Sequence, residues 1–162
     1  MKKIIVLCLL IAYGCGANKT ASQIALAGKC PGKGECTIEL LRDKAMVVEH
    51  TANGIRYSTE TKKGTSVVKY QYNRIVPKNV QDGSYRVEIV FEYDGQTNQT
   101  LRDGQLEATK MLYGRFCYCK DGVGYFAVNQ GTLSIDANGH GTADISVPQI
   151  SQLIKKIEFD LK

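Results

Sequence analysis

The stretch Tyr85-Arg86-Val87-Glu88-Ile89-Val90-Phe91-Glu92-Tyr93 decides the fold class. Positions 85, 87, 89, 91 and 93 are apolar or aromatic, while 86, 88 and 92 are charged. A period of two sends successive side chains to opposite faces of a strand, one toward a core and one toward water. On this reading Glu88 and Glu92 belong to a solvated face. The same alternation recurs on both sides of the stretch. Val68, Tyr70 and Tyr72 alternate with Lys69, Gln71 and Asn73, and Ile157, Phe159 and Leu161 alternate with Glu158 and Asp160.

Turn chemistry separates these runs. Asn53-Gly54, Lys63-Gly64, Asp82-Gly83, Asp94-Gly95, Asp103-Gly104, Asp121-Gly122 and Asn138-Gly139 all place glycine where a tight connection needs positive φ. Pro77 and Pro148 follow Val76 and Val147, where strands should stop. The sequence therefore predicts an all-β domain of about eight to ten strands, an antiparallel β-sandwich or a partly closed barrel. Leu106 to Leu112 and Gln149 to Lys155 are the two candidate helical turns.

The 162 residues are 43% hydrophobic and 23% charged, which excludes a disordered chain, a collagen-like rod and a multi-span membrane protein. The net charge of +5 is mild and scattered, so no nucleic-acid partner is expected.

The amino-terminus is organised differently. Lys2 and Lys3 precede an apolar run from Ile4 to Ala12, then Tyr13, Gly14 and Cys15. Nine apolar residues in a helix reach about 14 Å, short of the ~30 Å of a bilayer's hydrocarbon core. These are the parts of a signal peptide, expected over residues 1–14. Ala12-Tyr13-Gly14-Cys15 resembles the cleavage motif of bacterial lipoprotein precursors. Gly14 fits that motif, whereas Ala12 and Tyr13 depart from its usual Leu and Ala or Ser. The resemblance implies that Cys15 becomes the acylated first residue, with fatty chains such as palmitate holding the protein on the outer membrane. Residues 15–34 then form a lipidated tether, with Ile24 to Ala27 as a short docking segment, and residues 35–162 a single β-domain.

Cysteine parity supports this division. Cleavage before Cys15 removes Cys8, and lipidation of Cys15 leaves Cys30, Cys36, Cys117 and Cys119 for two disulfides. Cys117 and Cys119 share one face of a strand, about 6.5–7 Å apart, too far for direct bonding. The expected bridges therefore link the Cys30/Cys36 segment to the 117/119 strand, and Cys30–Cys119 with Cys36–Cys117 is the pairing chosen. A zinc site is disfavoured because knuckle spacing is absent, and a redox pair because a strand interior provides no helix dipole beside Arg115.

Catalytic signals are thin. His50 and His140 sit in no recognisable motif, and no cofactor or metal is expected. Asp136 to Asp144 faintly resembles a calcium loop but has the letters of a glycine-rich turn. Lys62 and Lys63 beside Gly64 serve a turn. Tyr57, Tyr70, Tyr72, Tyr113, Tyr118 and Tyr125 are expected to pack within the sheets rather than form a binding face. The functional expectation is a non-enzymatic lipoprotein, facing the periplasm or the cell surface, whose disulfide-pinned domain is a binding or accessory subunit of an envelope protein complex. The alternative is an inhibitor of lysozymes or proteases, or a small-ligand-binding module, using loops such as Asn138 to Gly141 or Asp94 to Thr100.

Overall fold

In the computed structural model, residues 21–161 are described. The expected signal peptide, Cys15 and the first part of the expected tether lie outside them. The strands are β1 (Ala21–Gln23), β2 (Ala25–Leu26), β3 (Gly34–Thr51), β4 (Gly54–Arg74), β5 (Tyr85–Tyr93), β6 (Gln99–Arg102), β7 (Leu112–Cys117), β8 (Gly124–Ala127), β9 (Gln130–Ile135), β10 (His140–Ser146) and β11 (Lys156–Asp160). A 3-10 helix spans Asp103–Thr109, and the expected turn at 149–155 is irregular chain.

All strand pairs are antiparallel. One sheet has the order β1-β3-β4-β5-β7-β8 and the other β2-β11-β10-β9-β6. The sheets face each other across a core that includes Ile38, Val68, Tyr70, Ile89, Phe91 and Tyr113 from the first, and Leu133, Ile145, Ile157 and Phe159 from the second. The period-two runs at 68–72, 85–93 and 157–161 all send their apolar members here, as read from the sequence. The fold is all-β.

Sandwich and barrel occur together, for a local reason. β3 and β4 form a ribbon of 18 and 21 residues, interrupted by a bulge between Arg42 and Lys44. Asp43 takes φ 52° and Gly64 φ 79°, and the Gly64 N–H donates to the Asp43 carboxylate at 3.1 Å. The distal half of the ribbon bends there and folds across the outer face of its own sheet. Ile55 pairs with Tyr125 and closes β4, β5, β7 and β8 into a small barrel. A second core of Met46, Val67, Val90 and Leu112 fills it, with Val48, Ile55, Tyr57 and Tyr125 packed around.

This bend corrects the reading of two carboxylates. Glu88 is only 3% exposed, and its carboxylate accepts the Tyr125 hydroxyl at 2.6 Å. Glu92 accepts the Met46 N–H at 2.6 Å and a proton of Lys110 Nζ at 2.7 Å. The face expected to be solvated is covered by the folded-back ribbon. Part of the expected tether 15–34 is strand rather than linker. β1 pairs with β3 and β2 with β11, because Ile24 and Leu26 pack against the main core. These two strands bring the number to eleven.

The crossed disulfides are corrected as well. Cys30 bonds Cys36, and Cys117 bonds Cys119. The spacing argument failed because β7 stops at Cys117 and the chain bends at Tyr118. That bend draws the two Cα atoms to 5.3 Å, inside the roughly 4.4–6.8 Å that a bridge spans. At the other pair, Pro31 and Gly32 (φ 57°) turn the chain back and leave the Cα atoms 5.6 Å apart.

Candidate functional site

Strand register places both disulfides at one end of the sandwich. Gly34, two residues before Cys36, pairs with Arg74 at the end of β4, and the Ile75 N–H donates to the Lys33 carbonyl. Tyr85 at the start of β5 pairs with Cys117 at the end of β7. The 117–123 connection meets the 147–155 connection, where the Ser151 N–H donates to Asp121 at 3.0 Å. Four connections therefore meet at this end. At the opposite end are the bend at Asp43 and Gly64, the 94–98 loop and the Asn138-Gly139 turn, which together border one surface cleft with Leu161.

The large hydrophobic side chains that stand in water are Ile75, Val80, Tyr118, Val123 and Leu153. Every one belongs to the disulfide end. Tyr118 is 87% exposed, held out between the two bonded cysteines. Exposed Lys33, Arg74, Lys78, Lys120 and Lys155 lie on the same connections and strand ends, with Glu35, Asp82 and Asp121. An apolar cluster rimmed by charge is the usual character of an interaction surface.

Arg115 holds this end together. It is the largest fully buried side chain, 1% exposed. Its Nε and Nη2 donate to the Gly122 carbonyl, Nη1 donates to the Ser151 carbonyl at 3.1 Å, and both terminal nitrogens reach Asp121 at 3.1 and 2.8 Å. The planar fork satisfies two loops from one strand. Hydrogen bonding to Arg115, then to the Ser151 N–H, holds the Asp121 carboxyl well below the usual carboxylate range. The loops that carry Val123 and Leu153 are thus fixed from beneath.

The other candidates are placed as follows. Tyr70, Tyr72 and Tyr113 are buried, and Tyr57 and Tyr125 half-buried in the barrel, in keeping with packing roles. Burial pushes Tyr70 and Tyr113 up to about 12, and burial together with the Glu88 carboxylate pushes Tyr125 higher. Tyr118 departs from the packing expectation. Asp136 accepts the Asn138 and His140 N–H groups at 2.8 and 2.9 Å, a turn-closing role. The His140 ring lies 2.9 Å from Asp160, across the β10–β11 pair. His50 is exposed near the ribbon tip, and Lys62 and Lys63 are exposed beside the bend. Among the described residues, no helix is long and apolar enough to cross a membrane, and no group of three metal-ligating side chains converges.

Sequence reasoning missed the apolar loop cluster and its Arg115 support. Two signals were present. Val80 and Val123 interrupt turn-rich segments where polar residues are the norm, and Arg115 is a charge flanked by Leu112, Tyr113 and Phe116 inside a strand. No protein-family model matches the chain, and no curated protein or solved structure is significantly similar to it.

Proposed function

We propose that this chain is a non-enzymatic, lipid-anchored binding subunit of the bacterial envelope, which docks a protein partner through its disulfide end. The observation that carries this reading is the gathering of Ile75, Val80, Tyr118, Val123 and Leu153 at one end of the sandwich. Leaving such side chains partly in water forgoes part of the roughly 1.5–3 kcal/mol that full burial of each would contribute. A partner that covers them recovers part of that. The two short-range disulfides and Arg115 keep the loops in one arrangement, which lowers the ordering cost of association.

The anchor fits the same geometry. The described chain enters at Ala21, paired with Leu41, seven residues along β3 from Gly34 and thus about 23 Å from the disulfide end. On this reading the lipidated segment leads into the domain at Ala21, toward the end of β3 opposite the apolar loops. Two measurements test the proposal. Intact mass of the native protein should give a chain beginning at Cys15 with fatty acyl groups. The combined substitution Val80→Ser, Tyr118→Ser and Leu153→Ser should abolish co-purification of the partner from detergent-solubilised membranes while leaving thermal stability within about 0.5 kcal/mol. Retained co-purification would exclude this surface, and a chain with an uncleaved leader and a free Cys15 thiol would exclude the anchor.

A further inference from the structure

We infer that the distal half of β3 carries a second binding site, an open strand edge at Val48 and His50 that takes an extended segment of a partner polypeptide. The hydrogen-bonding parity of the ribbon assigns the edge. Thr51 and Gly54 close the hairpin across the two residues Ala52 and Asn53, which makes them a hydrogen-bonded pair. Residues 49, 47 and 45 are then bonded to β4, while 50, 48 and 46 turn their N–H and C=O groups to the other side. Met46 confirms this independently. Its N–H goes to Glu92 at 2.6 Å and its C=O receives Lys110 Nζ at 2.7 Å, neither of them on β4.

The same outer edge is in use further along. β1 pairs there with Glu39, Leu40 and Leu41. The bulge at Asp43 and the Glu92–Lys110 pair at Met46 then block it, two ordinary protections of a sheet edge. Past the block no described strand other than β4 pairs with Val48 or His50, so their outer edge carries none. Both residues border a cavity of about 260 Å³ whose wall is mainly apolar, with Met111, Leu112, Ala127 and Val128 beside Glu107, Lys110 and Asn129. Two outward residues supply two donors and two acceptors in strand geometry. The adjoining apolar cavity has room for an aliphatic side chain of the incoming strand. This combination is what strand addition requires, with main-chain bonds giving affinity and a pocket giving selectivity.

The occupant is a partner's segment. The Glu92 and Lys110 side chains take the edge groups of Met46 and so separate this edge from the one β1 occupies. A twofold pairing of two copies through this two-residue edge would bury far less than the roughly 1,200 Å² of a stable interface.

A synthetic hexapeptide of alternating Val and Thr, blocked at both ends, serves as the probe for the full-length protein. Saturating peptide should slow amide hydrogen exchange at Val48 and His50 by about tenfold or more, with Val47 and Glu49 unchanged because β4 already protects them. The same peptide N-methylated at alternate backbone nitrogens should lose the effect. Val48→Pro removes one outward donor without touching the β4 ladder and should weaken binding at least about tenfold. Ala127→Arg, at an exposed position on the cavity wall, should do so without altering the backbone. Unchanged exchange at Val48 and His50, equal binding of the N-methylated peptide, or peptide-independent dimerisation through this edge would each overturn the inference.

Discussion

Replacing Arg115 by methionine tests the link between the core and the disulfide end. Methionine retains much of the apolar stem, so the change removes the guanidinium with little cavity. The Gly122 and Ser151 carbonyls then lose their donors beneath the loops, and each unmet group costs about 1–3 kcal/mol. Asp121 is 48% exposed and regains water, so it adds little. Breaking one side of a buried charged network usually costs about 3–5 kcal/mol, and the two carbonyls together, at about 2–6 kcal/mol, bracket that range. For a domain of this size such a loss lowers Tm by about 10–15 °C. Urea unfolding followed by circular dichroism should show the midpoint falling with an unchanged slope. Arg115→Lys keeps the charge without the fork and should lose a smaller amount. A cost below about 1 kcal/mol for the methionine variant would show that Arg115 is not what fixes these loops.

Further outcomes follow from other positions. The Asp160 carboxylate raises the His140 pKa above its ordinary 6.5, so the stabilising pair is complete below that pH and is lost as pH climbs through the raised value. A proton NMR titration should place the His140 midpoint above 6.5 and Asp160→Asn should bring it back; an unchanged midpoint would contradict the pair. Asp121 has the opposite sign, because its folded pKa is depressed. Its bond to Arg115 should persist throughout the neutral range and fail only in strong acid, checked by acid unfolding of Asp121→Asn against the parent. Gly131 takes φ 124° and a Cβ there would lie 2.2 Å from the Asp144 carbonyl oxygen, so Gly131→Ala should cost at least ~2 kcal/mol in chemical denaturation. Gly104→Ala, where a Cβ meets open space, should stay within about 0.5 kcal/mol. Non-reducing peptide mapping should recover Cys30 linked to Cys36 and Cys117 linked to Cys119. Serine at both 30 and 36 should cost about 2 kcal/mol, as expected for closing a short loop.

Much of the fold was legible because burial on one face of a strand leaves a period of two. Val87, Ile89 and Phe91 against Arg86, Glu88 and Glu92 is enough to predict an antiparallel sheet with a one-sided core. The second core was not legible, because its members sit on the nominally polar face. Val90 and Val67 break the alternation of their strands, yet a single valine on a polar face has no unique meaning until Gly64 and Asp43 bend the ribbon over it. Glu88 and Glu92 were misread for the same reason: a carboxylate on a strand does not announce what folds across it. The disulfides failed at a different level, since strand spacing applies only while the strand continues, and β7 ends at the first of its two cysteines. The apolar side chains at the disulfide end depend on which loops meet. Ile75, Val80, Tyr118, Val123 and Leu153 are scattered over 79 positions and gather only through the register of β4, β5 and β7 and the contact of Asp121 with Ser151.

Site-specific photo-crosslinking from position 118 tests the proposed docking end most directly. A benzophenone amino acid replaces Tyr118 in one variant and Thr97, at the opposite end, in another, and both are illuminated in intact source cells. The account predicts one discrete protein adduct from position 118 and none from position 97. Adducts of equal yield from both ends, or none from position 118, would contradict it.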